Sequence, residues 1–193
     1  MPRITGVVLA GGQGSRMGGV DKGLQPFRGK PMVAHAIERL AGQVDELLIN
    51  ANRNAEAYAN LGYRVIADEI EGFAGPLAGF ERGLAHASGD LVVTVPCDSP
   101  FLPADLVARL RAALEREGAD LAVAKTGDQA HPVFSLMRRE VHPSLTRFLA
   151  GGQRKIDRWY AALKVVEVPF DDEADAFLNI NTREELASLE PRA

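Results

Sequence analysis

A mainly parallel α/β sheet with helices on both faces is the fold class this sequence predicts, and three observations carry it. Short apolar runs alternate with segments of helical period along nearly the whole chain, the pattern of strand–helix–strand units. The run at 91–95 is nearly all apolar, as a strand covered on both faces must be. No internal repeat, low-complexity tract or Pro-, Gly- or Ser-rich linker divides the chain, so residues 1–193 are expected to form one domain. A content of 46% hydrophobic and 25% charged residues suits such a domain and supplies a sizeable core.

Taken in order, Gly6-Val7-Val8-Leu9 reads as a buried strand that opens into a glycine-rich loop ending at Asp21-Lys22. Met32, Val33, Ala36, Ile37 and Leu40 share one helical face, with Pro31 suited to the first turn. A short strand at 47–49 ends at Asn50; a helix at 55–61 and a strand at 63–66 follow, the latter ending at Asp68. After a turn at 72–76, Leu77, Phe80 and Leu84 mark a helix that begins within Gly75-Pro76-Leu77-Ala78-Gly79. The 91–95 strand ends at Pro96-Cys97-Asp98, and a long helix from Pro103 shows Leu106, Val107, Leu110 and Leu114 on one face. Strands are expected at 120–124 and 133–137, then a helix with Val141, Leu145, Phe148 and Leu149 ending near Gly151-Gly152. Segments 165–168 and 177–180 read as the last strands. Thr182-Arg183-Glu184-Glu185 is a capping box opening a final helix through Leu186 and Leu189.

In parallel sheets ligands sit beyond the carboxyl ends of the strands. That puts the loop at 11–22, Asn50, Asp68 and Asp98 on one rim. The loop holds five glycines with Arg16 and Lys22, so close-approaching backbone N–H groups and two cations make it suited to phosphate. Two common phosphate loops are excluded by spelling. Gly12 and Gly14 begin a dinucleotide fingerprint but position 17 is Met, and Gly14 and Gly19 have ATPase-loop spacing but Val20-Asp21 follows. Arg16 offers a fork for bidentate contacts, and Lys22 a point charge for a triphosphate or a departing pyrophosphate.

Asp98 follows a buried strand and precedes Ser99-Pro100, well placed to hold Mg²⁺ through one carboxylate, waters and substrate phosphates. Cys97 beside it has no activating histidine in view and reads as a small buried thiol. Asn50 and Asp68 suit base or ribose recognition, since a carboxylate accepts from two adjacent N–H groups of guanine. Both are also common turn residues, and spacing does not separate the two roles. Asn179 and Asn181 sit two apart on the expected last strand, where one completes a metal shell or either caps the helix. Gly152-Gln153-Arg154-Lys155 is a second cationic spot, equally readable as a solvated helix face. The four histidines show no metal-ligand spacing.

The formal charge of −4 argues against a nucleic-acid binder, and one cysteine rules out an internal disulfide framework and fits a reducing compartment. The apolar run near the N-terminus stops at Gly11, too short to span a bilayer and a poor secretory signal, so no membrane partner and a cytoplasmic location are expected.

An ordered set of motifs resembles the molybdenum cofactor guanylyltransferases from Thr5 to about Leu189. It comprises Leu9-Ala10-Gly11-Gly12, Arg16-Met17-Gly18-Gly19 with Asp21-Lys22, Asn50-Ala51-Asn52-Arg53, Gly75-Pro76-Leu77-Ala78-Gly79, Pro96-Cys97-Asp98, His131-Pro132 and Asn179-Ile180-Asn181-Thr182. The resemblance implies a doubly wound, Rossmann-like nucleotidyltransferase fold that transfers GMP from GTP, with Mg²⁺, to molybdenum-molybdopterin. It implies nucleotide contacts at Leu9, Ala10, Gly11, Lys22, Asn50 and Asp68, with Asp98 on both nucleotide and metal. Gly12 and Gly79 are expected to join the nucleotide site, Arg16, Lys22 and Asp98 to be catalytic, and Asn181 to be a second metal ligand. Cofactor-synthesis or molybdoenzyme maturation proteins are the protein partners it suggests. Some relatives carry a further basic residue between the positions of Gly12 and Arg16; here Gln13-Gly14-Ser15 supplies none. Sister cytidylyltransferases using CTP tend to carry Ala where Gly11 or Gly12 stands, which favours GTP. A non-catalytic nucleotide- or cofactor-binding module is the other alternative, disfavoured by Lys22 and Asp98 occurring together.

Overall fold

Strand β1 (Ile4–Leu9) runs through the interior of a seven-stranded sheet and pairs in parallel on both edges, with β4 (Glu46–Asn50) and β6 (Leu91–Pro96). The computed structural model describes residues 1–12, 21–70, 75–180 and 182–189. The expected turn at 72–76 therefore lies largely outside the described residues. With β5 (Arg64–Ile66), β7 (Leu121–Thr126), β8 (Gln129–Arg138) and β9 (Val165–Pro169), the sheet order is β5-β4-β1-β6-β8-β7-β9. A separate two-stranded hairpin joins β2 (Pro26–Phe27) to β3 (Lys30–Pro31).

Alternation along the strands sorts their side chains onto two helix-covered faces. Val8, Ile49, Val93 and Ala122 point to one side, where α1 (Met32–Ala41), α2 (Ala55–Ala59) and α4 (Leu106–Glu117) pack. Val7, Leu48, Val92 and Val123 point to the other, against α3 (Pro76–His86), α5 (His142–Ala150) and α6 (Ile156–Tyr160). The apolar stripe expected for the first helix is the buried face of α1, residue for residue. A third cluster seats α7 (Arg183–Leu189) through Leu186 and Leu189 against Phe27, Met32 and Ile180. The capping box at its start is formed: Glu185 N–H donates to Thr182 Oγ1 at 3.0 Å, and Thr182 N–H donates to Glu185 Oε2 at 3.2 Å.

Four features correct or add to the expectations: the helix start and residues 177–180 are corrections, while the direction of β8 and the helix α6 are additions. Strand β8 is antiparallel to both neighbours, because β7 and β8 run on to Thr126 and Gln129 and leave only Gly127-Asp128 to turn the chain. Gly127 takes φ +54°, which a two-residue hairpin needs. The long helix starts at Leu106 rather than at Pro103. Residues 177–180 are not a strand: a 3-10 segment, Asp171–Phe177, leads into irregular chain tied to the β6 end by Ile180 N–H donating to the Asp98 carbonyl at 2.9 Å. Asn179 is therefore not displayed by strand alternation, and Asn181 lies outside the described residues. The fourth is α6, a helix the periodicity did not reveal, because five residues are too few to show a period.

That helix carries Trp159, fully buried against Phe80 with ring centroids 6.5 Å apart, its Nε1–H donating to Ser144 Oγ at 3.3 Å. Replacing Trp159 by Ala should destabilise the fold by about 3–5 kcal/mol. In a chain this long that lowers Tm by roughly 6–20 °C, measurable by calorimetry. An unchanged Tm would mean the α3–α6 face contributes no such packing.

Candidate active site

The chain leaves β1 outward through β4 to β5, then returns across the sheet by α3 to β6 on the opposite side of β1. Strand order thus reverses at β1, and a crevice opens outside the carboxyl ends of the strands flanking it. The backbone is tied at this edge one residue past each strand. Ala10 N–H donates to the Asn50 carbonyl at 2.7 Å, Ala51 N–H to Ile66 at 3.0 Å and Cys97 N–H to Leu9 at 3.1 Å. A cleft of about 430 Å³ lies here, lined by Leu9, Gly11, Gly12, Asn50, Asp68 and Asp98, with Gly75, Pro76, Val133 and Asn179 completing its walls. Two concavities of about 520 Å³ sit elsewhere, one bordered by Ile4 and the other by Asp90, at the amino ends of β1 and β6 and away from these groups.

At one end of the cleft Asp68 is gripped by two amides. Asn50 Nδ2 donates to its Oδ1 and Asn52 Nδ2 to its Oδ2, each at 2.8 Å, while Asp68 N–H donates back to Asn52 Oδ1 at 2.8 Å. Each carboxylate oxygen keeps a lone pair, so two acceptors stand side by side in a fixed plane. Asn52 was missed as a site residue by sequence reasoning. The available signal was its spacing of two from Asn50, which keeps both side chains on one side of an extended chain. Arg82 braces the same segment from α3, its Nε–H donating to the Ala67 carbonyl at 3.1 Å and its guanidinium paired with Glu69 at 2.9 Å.

Two glycines let this arrangement close. A Cβ on Gly11 would stand 2.9 Å from Asn52 Nδ2 and 3.1 Å from Asn50 Oδ1. One on Gly79 would stand 2.6 Å from both Asn50 Oδ1 and Leu9 Cδ2. Gly79 is buried behind Asn50 and Leu9, so its contribution to the site is the space that seats them. Gly12, by contrast, has open space where a Cβ would be.

Toward the other end, the Lys22 ammonium lies 3.6 Å from Asp98 Oδ2, both side chains mostly sheltered. Burial pushes the Asp98 carboxyl above the usual carboxylate range, against the opposing pull of Lys22. A sheltered carboxylate of this kind demands a cation, and Lys22 supplies one. Asn179 Oδ1 accepts the Ser99 hydroxyl next door. Burial also pushes the Cys97 thiol up, so it is a poor nucleophile, in line with its reading as a core residue. Arg154 donates to the carbonyls of Leu149 and Gln153, at 2.9 and 2.8 Å, and is occupied at the end of α5. Arg16 and Asn181 lie outside the described residues. Among those described, no three His, Cys, Asp or Glu side chains gather into a metal cage. The donor set at Asp98 is one carboxylate with amide oxygens nearby, which suits an ion whose shell is completed by phosphate oxygens and water.

Comparison with known proteins agrees with this layout. A family model described as the MobA-like NTP transferase domain matches residues 6–166. The molybdenum cofactor guanylyltransferase of Shewanella amazonensis is 53% identical over 187 residues, 97% of this chain and 95% of that protein. The enzyme of the same name from Cupriavidus necator is 55% identical over 194 residues, covering 98% and 97%. Among solved structures, molybdopterin-guanine dinucleotide biosynthesis protein A from Archaeoglobus fulgidus superposes with a TM-score of 0.81 at 26% identity, covering 96% of each chain. The crevice beside β1 and the match over nearly its whole length lead to one conclusion: the chain belongs to the MobA-like NTP transferase family, with the molybdenum cofactor guanylyltransferases.

Proposed function

We infer that this chain is a guanylyltransferase that moves GMP from GTP onto the terminal phosphate of molybdopterin carrying molybdenum, giving molybdopterin guanine dinucleotide and pyrophosphate. The structural observation that carries the reading is the pairing, in one cleft, of an amide-clamped Asp68 with the Lys22–Asp98 pair.

Asp68 presents two coplanar acceptors, the complement of the neighbouring N1–H and N2–H donors of guanine. Cytosine has no such pair. Gly11 is part of this selectivity, because an alanine there would push against the amides that aim Asp68. With the base so held, the phosphates extend toward Lys22, whose charge opposes the charge that gathers on the leaving pyrophosphate. Arg16 is assigned to the same phosphates by sequence resemblance.

In the reaction an oxygen of the acceptor's terminal phosphate attacks the α-phosphorus of GTP in line. The bond from that phosphorus to the α–β bridging oxygen breaks, and pyrophosphate leaves with the electron pair. A phosphate monoester is already ionised near neutral pH, its second pKa being about 6, so no general base is needed. The side chains act by placing the reactants and opposing charge. Asp98 would hold Mg²⁺, with Asn179 or Asn181 as a further protein donor and phosphate oxygens and water in the remaining positions. Bound there, the ion would supply Lewis-acid stabilisation of phosphate charge.

Three measurements test the reading. Pyrophosphate should be released only when GTP and the molybdopterin acceptor are both present, and kcat/KM should favour GTP over CTP and ATP; equal values for the three would end the assignment. ITP, which lacks the 2-amino group, should be poorer than GTP by roughly tenfold, about one hydrogen bond to a charged acceptor. Asp68→Ala should erase that GTP-over-ITP preference, and retention of it would move guanine recognition elsewhere. Finally, Asp98→Asn should keep the fold by circular dichroism, weaken Mn²⁺ binding in the presence of GTP, and slow turnover on the order of a hundredfold or more. Wild-type turnover with an unchanged Mg²⁺ requirement would place the metal away from Asp98.

A further inference from the structure

Asp21 stands next to Lys22 in sequence, yet its carboxylate turns away into a separate network. Its Oδ1 accepts the hydroxyl of Tyr58, and its Oδ2 accepts Asn54 Nδ2 at 3.0 Å. Both donors come from α2, on the crossover between β4 and β5. Tyr58 is fully buried, and burial holds its hydroxyl far above the usual phenol range, so it stays protonated and can donate. Asn54 occupies the N-cap of α2, where an asparagine side chain usually bonds back to the helix. Here it makes no such cap bond, and its backbone takes φ +53°, a region L-residues enter reluctantly. Its amide is spent on Asp21 instead.

The other side of Asp21 is the backbone that carries Lys22. The Asp21 carbonyl accepts Leu24 N–H and Gln25 Nε2–H, both at 3.3 Å, and the Lys22 carbonyl accepts Gln25 N–H at 3.2 Å, closing a 3-10 turn over Lys22–Leu24. Gly23 in that turn lies hard against the latch: a Cβ there would stand 2.5 Å from the Tyr58 hydroxyl. The turn therefore rests on Tyr58 at two points, through the Asp21 carboxylate and through Gly23.

We propose that Asp21, held by Tyr58 and Asn54, is a positioning residue that fixes where the Lys22 ammonium meets the nucleotide phosphates. The proposal rests on the reading of Lys22 as a phosphate cation. Asp21 itself touches neither substrate nor metal. Its partners sit on a helix rooted in the core, so the end of the phosphate loop is referenced to the sheet rather than left to a glycine-rich chain.

Calorimetric titration with two half-ligands separates the ends of the site: inorganic tripolyphosphate for the phosphate end, guanosine for the base end, both with Mg²⁺. Lys22→Ala should weaken tripolyphosphate and leave guanosine unchanged. Tyr58→Phe, which removes only the hydroxyl, should weaken tripolyphosphate by about tenfold and also spare guanosine. Asn54→Gly keeps the left-handed backbone, deletes the amide, and should act in the same direction; it is the second variant if Tyr58→Phe does not fold. In the Lys22→Ala background neither change should weaken tripolyphosphate further, because the group being positioned is gone. Wild-type affinity in Tyr58→Phe and Asn54→Gly, with Lys22→Ala impaired, overturns the latch alone. Losses that simply add to that of Lys22→Ala also overturn it, since Tyr58 would then act independently of Lys22. No effect of Lys22→Ala on tripolyphosphate overturns the phosphate-cation reading, and the latch with it.

Discussion

Parallel pairing on both edges of β1 is the constraint from which the cleft follows. A strand paired in parallel on each side has neighbours whose carboxyl ends lie level with its own. The chain leaves in one direction and returns to the far side, which opens a crevice at the reversal. Residues far apart in sequence are brought together by this single feature. The β1 end supplies Gly11 and Gly12, the β4 end Asn50 and Asn52, the segment after β5 Asp68, and the β6 end Asp98. None needs a special loop to reach the others.

Three aspartates at this edge differ in their partners, and the partners give them different work. Asp68 is held by neutral amides, which orient it and leave each oxygen a further lone pair. Asp98 faces the Lys22 ammonium, while burial pushes its carboxyl above the usual carboxylate range. Asp21 is bound by a hydroxyl and an amide and faces inward toward α2. A chain with formal charge −4 thereby segregates charge along its cleft, with the amide-held Asp68 carboxylate at one end and the Lys22 cation toward the other. The Lys22–Asp98 pair also offsets the cost of sheltering a carboxylate, since one charge alone would be costly there.

Close packing sets the tolerance of the site. Gly11 and Gly79 admit the Asn50–Asn52–Asp68 group from opposite sides, with clearances that a single methyl would remove. Asn50 is itself buried, and its amide also lies 3.3 Å from the Ile66 carbonyl. The clamp on Asp68 is thus built on strand ends and a helix start, elements whose positions the two apolar layers of the sheet determine. Precision at the cleft is a consequence of core packing.

The sequence by itself determined the fold class, the buried stripe of α1, the fully covered β6 strand and the capping box of α7, because each is written in local periodicity or in residues within one turn of each other. It also placed Asn50, Asp68 and Asp98 at strand ends, since apolar runs stop there. The direction of β8 was legible in principle from Gly127-Asp128, but only once both flanking strands were extended to meet that turn. Tertiary structure alone decided the rest. Residues 177–180 have strand-like composition, yet they join no strand of the sheet, and a hydrogen bond from Ile180 to the Asp98 carbonyl ties them to the β6 end. The five-residue α6 helix exists because Trp159 finds a pocket beside Phe80, a long-range contact with no periodic trace. Asn52 as the second clamp on Asp68, Lys22 against Asp98, and Tyr58 beneath Asp21 are likewise pairings across separations of 16, 76 and 37 residues. Local pattern names such residues one at a time; which of them meet depends on how the sheet is ordered.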